Sequence, residues 1–173
     1  MTGPQKVLLL GMMGAGKTSV GAALSHRLGW PYVDNDAFLE RTTGLSARDL
    51  LAKEGEAALR VAESKVLTLV LGMPTPIIAG VAAGIVMDDA DRARLTSSGA
   101  HLVWLRASPR VLARRIGPAA DRPWLGTDPE AALRRLAAER NPLFEQIADQ
   151  VIDVDALSVG QIARLIAEEL AGS

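Results

Sequence analysis

"VLLLGMMGAGKT", residues 7–18, runs four apolar residues into a loop of glycines that ends in Lys17 and Thr18. From Gly11 the spacing is glycine, four residues, glycine, lysine, threonine, the pattern of a phosphate-binding loop. Its setting agrees, because the apolar run Lys6–Leu10 reads as a strand and Thr18 to Leu28 reads as a helix. Glycines allow close backbone approach, so the N–H groups along Gly11, Met12, Met13, Gly14, Ala15, Gly16, Lys17, Thr18 and Ser19 can ring phosphate oxygens at a helix N-terminus. Lys17 would reach the terminal phosphates, and the Thr18 hydroxyl would ligate magnesium. ATP with Mg2+ is the expected ligand.

Outward from that loop, short apolar runs alternate with helical patterns. Strands are expected at Lys6–Leu10, Pro31–Val33, Pro76–Ala79, His101–Arg106 and Gln150–Val154. Alternation of this kind predicts an α/β domain of three layers, with a central five-stranded parallel sheet flanked by helices. Ser46 followed by Asp49 resembles a helix-capping start. From Glu56 to Leu71 the apolar positions Leu59, Ala62, Val66, Leu69 and Val70 recur at helical spacing and leave Arg60 near the helix start. Ser108 or Pro109 opens another helix, and Pro129 suits the first turn of the next. A last helix, from about Ser158 to Leu170, gathers Ile162, Leu165, Ile166 and Leu170 on one face.

Composition narrows the function classes. A chain of 173 residues suits one domain, 1–173. Its net charge of −1 gives no basic surface for nucleic acid. Cysteine is absent, which removes disulfides and thiolate chemistry, while His26 and His101 lack ligand spacing and read as structural. No apolar run is long enough to span a bilayer and no signal peptide is evident, so a cytoplasmic monomer without membrane partners is expected.

Two groups of residues invite chemistry. "YVDND" sets Asp34 and Asp36 at the carboxyl end of the second strand, where ligands of open parallel sheets bind. If the chain stays extended the two carboxylates point the same way, one toward magnesium and one toward an acceptor hydroxyl. Alternatively, Asp36 caps a helix starting at Ala37. Positive charge for a migrating phosphoryl group could come from Arg60, Arg115, Arg122 or Arg140. Arg122 lies in "GPAADRPWLGTDP", residues 117–129, a stretch rich in Pro and Gly that reads as a mobile lid.

Taken together, the phosphate loop, Asp34–Asp36, Arg60 in "GEAALRVAE", "DRP" at 121–123 and "ERNPLF" at 139–144 resemble, in order and spacing, the shikimate kinases. Those enzymes belong to the nucleoside-monophosphate-kinase-like group of P-loop folds, and the likeness runs from about Lys6 to Leu170. The resemblance implies transfer of the γ-phosphoryl group of ATP to shikimate, with Lys17, Asp36 and Arg122 catalytic. It also implies that Asp34 is linked to magnesium and that Arg60 and Arg140 clamp the substrate carboxylate. Arg115 would lie beside the adenine, and Arg122 would bridge ATP and substrate. Even without the family, two guanidinium groups and two carboxylates suit an anionic, hydroxylated small molecule.

One stretch departs from the family. Its glycine triplet after the third strand is matched here by Val81, Ala82 and Ala83 in "IIAGVAAGIV", and Ala79 stands where a serine is usual. Side chains there would crowd a substrate laid against the backbone, and valine disfavours positive φ. Weaker shikimate turnover than in a typical member is therefore expected, unless Gly80 and Gly84 re-route the loop. A different acceptor (sugar acid, cyclitol or nucleotide) stays open, as does a P-loop module without turnover.

Overall fold

The computed structural model describes residues 3–117 and 125–172. Five strands form one parallel sheet: β1 (Lys6–Leu10), β2 (Tyr32–Val33), β3 (Ile77–Gly80), β4 (His101–Arg106) and β5 (Gln150–Asp153). Their spatial order is β2-β3-β1-β4-β5, with Leu8 opposite Ala79 on one side and Leu102 on the other. All five residues of β1 are buried, which explains why Val7 to Leu10 are continuously apolar rather than alternating. The three-layer α/β fold and the five strands predicted from the sequence are found, each within a residue or two of its expected bounds.

Helices cover the sheet: α1 (Lys17–Leu28), α2 (Asn35–Thr43), α3 (Ala47–Leu71), α4 (Asp89–Ser97), α5 (Pro109–Ile116), α6 (Pro129–Ile147) and α7 (Val159–Gly172). Ser46 caps α3 by accepting from the Asp49 N–H at 3.1 Å. Inside α3 the backbone breaks at Gly55 (φ 86°, ψ 175°), so a second helical segment starts there and Arg60 falls near its beginning. The Lys6 ammonium donates to the carbonyls of Val70, Leu71 and Met73, tying the far end of α3 to β1. In α6, Leu133, Ala137, Arg140 and Phe144 share the buried stripe, and Phe144 stacks on Trp104 of β4 at 5.7 Å. That contact anchors the helix turn that carries Arg140.

Two apolar assignments change. Leu69 and Leu165 are half or one-third exposed, at 50% and 36%, because each lies just beyond the edge of its helix's buried stripe. His101 is buried and bonds Gln150 at 3.1 Å, whereas His26 is exposed. Among the described residues no helix is long and apolar enough to cross a membrane. Of the expected lid, residues 118–124 lie outside the described residues, and with them Arg122 and Trp124.

Tyr32 packs against α1 at Gly21, where an added Cβ would stand 2.2 Å from the ring. Gly21→Ala is expected to destabilise the fold by about 1–3 kcal/mol through overpacking. The effect should appear as a lower urea midpoint at unchanged slope, and an unmoved midpoint would show that the ring can retreat at no cost.

Candidate active site

The loop between β1 and α1 takes conformations that side chains avoid. Gly11 has φ 145°, and a Cβ there would come 2.8 Å from the Leu105 carbonyl. Gly16, at φ 99°, precedes α1 with no side chain capping it, so the first N–H groups of the helix are not taken by a capping side chain. Lys17 folds back over the loop, donating to the Gly11 carbonyl at 2.6 Å and the Met12 carbonyl at 3.3 Å. Burial pushes its ammonium down to about 8, although Asp36 and Asp34 pull the other way. Arg115 is exposed and reaches the Gly14 and Ala15 carbonyls, each at 3.4 Å, so it sits on the rim of this loop. Met13 is partly buried and Ser19 is exposed on α1.

Beyond β2 the chain does not stay extended. It turns into α2 at Asn35, so the expected parallel projection of Asp34 and Asp36 is not found. Asp34 is the helix cap instead, accepting from the Ala37 N–H at 3.1 Å, and Asp36 occupies the exposed first turn. The expectation that Asp36 caps this helix is corrected for the same reason, since the helix begins two residues earlier. Asp34 also accepts the Thr18 hydroxyl at 2.6 Å, which brings the predicted pair together across the cleft. Burial alone would raise the Asp34 pKa, but bonds from Thr18, Ala37 and Tyr32 outweigh it and hold the carboxyl below its usual range.

A second cluster draws its side chains from α3 and α6. Arg60 pairs with Glu63 at 2.6 Å and with Glu56 at 3.2 Å. Glu63 is buried, and burial raises its pKa against the lowering pull of Arg60 and Arg140. Arg140 is also buried; its Nε makes no hydrogen bond among the described residues, and burial together with Arg60 lowers its pKa. Lys17 feels Arg140, Glu63, Asp36 and Asp34 electrostatically, so both clusters belong to one neighbourhood. Glu63 is a site residue that the sequence pattern does not single out. Its one signal is positional, four residues beyond Leu59 on the buried stripe of α3, where a carboxylate needs a partner.

The stretch after β3 differs from what its sequence implied. Val81 to Ala83 all have negative φ, so no residue there needs the conformation reserved for glycine. Val81 and Ala82 are buried in the hydrophobic core, while Ala83 is partly exposed. Nor do Gly80 and Gly84 re-route the chain through a left-handed turn, since neither has positive φ. Gly84 has another use. A Cβ there would stand 1.8 Å from Arg60 Nη1, so the guanidinium lies directly against this glycine.

The family profile described as shikimate kinase matches residues 13–171. The chain belongs to the shikimate kinase family. It is 36% identical over 170 residues to a shikimate kinase of Halorhodospira halophila, covering 98% of this chain and 95% of that protein. Among solved structures, the shikimate kinase of Acinetobacter baumannii in complex with shikimate superposes with a TM-score of 0.90 at 28% identity, over 96% of this chain and 93% of that one. A deoxyadenosine kinase from M. mycoides, 19% identical with a TM-score of 0.63 over 96% of this chain and 98% of its own, shares the fold alone.

Proposed function

We propose that the chain transfers the γ-phosphoryl group of ATP to a hydroxyl of shikimate, forming shikimate 3-phosphate in the cytoplasm. The observation that carries the reading is Arg140. A buried guanidinium with an unbonded Nε, within electrostatic reach of Arg60 and Lys17, suits an anionic acceptor next to a phosphate site. Family membership and the likeness to a shikimate-bound relative support the same acceptor.

In this mechanism the loop N–H groups and Lys17 hold the β- and γ-phosphates. Thr18 and Asp34 form an oxygen donor set that fits Mg2+, which binds through few protein ligands and neutralises phosphate charge when present. Arg60 and Arg140 grip the acceptor carboxylate, with Glu63 fixing Arg60. Asp36 orients the acceptor hydroxyl and takes its proton as the new O–P bond forms and the bond to the β-phosphate bridging oxygen breaks. Arg122 and Arg115 are assigned the developing phosphoryl charge and the adenine side respectively.

ADP release tests the reading. Shikimate should drive turnover, and its methyl ester should lose at least about tenfold in kcat/KM, the worth of one charge-assisted contact. A neutral polyol that outperforms shikimate would contradict the carboxylate clamp.

A further inference from the structure

Thr18 is not the sole side chain that holds Asp34. Asp34 Oδ2 also lies 3.3 Å from Tyr32 Oη, and the same phenol oxygen lies 3.4 Å from the Lys17 carbonyl. A phenol carries one proton, so Tyr32 divides it between the carboxylate and the backbone at the start of α1. The ring cannot wander to find other partners. It is wedged against Gly21, and its hydroxyl would sit 3.2 Å from a Cβ at Gly80 on β3. Helix α1 and strand β3 therefore fix where the phenol points, and both carboxylate oxygens of Asp34 are committed: Oδ1 to the Ala37 N–H, Oδ2 to Thr18 and Tyr32.

We propose that Tyr32 is a positioning residue for phosphoryl transfer, holding the Asp34 carboxylate against Thr18 and tying it to the entry of α1. The inference rests on reading Thr18 and Asp34 as the metal-side pair. Phenylalanine would fill the same wedge but could not donate, so Asp34 would lose one donor while the packing stayed. The hydrogen bonds of Arg60 run to Glu56 and Glu63, and Arg140 Nε has no partner among the described residues, so acceptor binding should be spared.

The test compares the full chain with Tyr32→Phe, using Mn2+ as a spin probe titrated into the ADP complex. Mn2+ binding should weaken about fivefold, the effect of one shared hydrogen bond, with kcat falling similarly. The KM for shikimate and the melting temperature should stay near the parent's. In an Asp34→Ala background, which leaves the phenol no side-chain acceptor there, Tyr32→Phe should add no further loss, because its effect runs through that carboxylate. Unchanged Mn2+ affinity in Tyr32→Phe, or losses that add fully in the double variant, would overturn the role of Tyr32 alone. A parent whose ADP complex binds Mn2+ no better than ADP by itself would overturn the Thr18–Asp34 reading and this inference with it.

Discussion

Lys17→Ala is expected to lower turnover by about 10²–10³-fold, the usual cost of removing one donor that faces transition-state charge. The ammonium donates to the Gly11 and Met12 carbonyls, both in its own loop, so its loss removes little packing. The melting temperature should fall by only a few degrees, about the worth of one or two hydrogen bonds. Protonation gives a second test. Burial lowers the Lys17 pKa to about 8, so the ammonium is charged below that pH and loses its proton as pH rises through it. Bound phosphates favour the charged form, so ADP binding should take up a proton above pH 8 and weaken there by at most about tenfold per pH unit. The slope should vanish in Lys17→Ala. Turnover of that variant within about threefold of the parent would rule out the phosphate-loop assignment.

Features set by contiguous residues are legible in the sequence alone. The phosphate loop is a contiguous pattern, and strand β1 declares itself by the four apolar residues Val7 to Leu10 in a row. Arg60 stands out near the start of a helix with clear periodicity, and Arg140 through the stretch "ERNPLF" that resembles the family. The hidden parts are those that depend on how elements meet. Glu63 comes within electrostatic reach of Arg140 only once α3 and α6 are in place, and the Tyr32 side chain is fixed between Gly21 and Gly80 only once β2 has joined the sheet. The capping role falls to Asp34 rather than Asp36 because helical backbone begins at Asn35, two residues earlier than expected. The sequence at Val81–Ala83 does not reveal that all three keep negative φ or that Val81 and Ala82 join the core. Composition does not say which way those side chains turn.

The other large effect belongs to the acceptor. Arg60 pairs with the buried carboxylate of Glu63 and, at the exposed edge, with Glu56, while Arg140 acts on Glu63 through electrostatics alone. Both carboxylates are engaged by Arg60, whereas Arg140 makes no ion pair among the described residues, and a buried guanidinium in that state is costly until an anion joins it. Arg140→Met keeps much of the volume and removes the cation. It should raise the KM for shikimate about ten- to a hundredfold, the range for charge-assisted hydrogen bonds, and leave the KM for ATP within about threefold. Stability is a separate readout, since Glu63 keeps Arg60 and the lost Nε leaves no bonded partner behind among the described residues. Gly84→Ala attacks the same clamp by steric means. Its Cβ would displace Arg60 Nη1 from a position 1.8 Å away, and a guanidinium tip can move without unfolding its helix. Both variants should therefore raise the acceptor KM, and both should treat shikimate and its methyl ester more alike than the parent does. A shikimate KM unchanged in Arg140→Met, with kcat alone reduced, would take the carboxylate away from this arginine and place its charge on the transferring phosphoryl group instead.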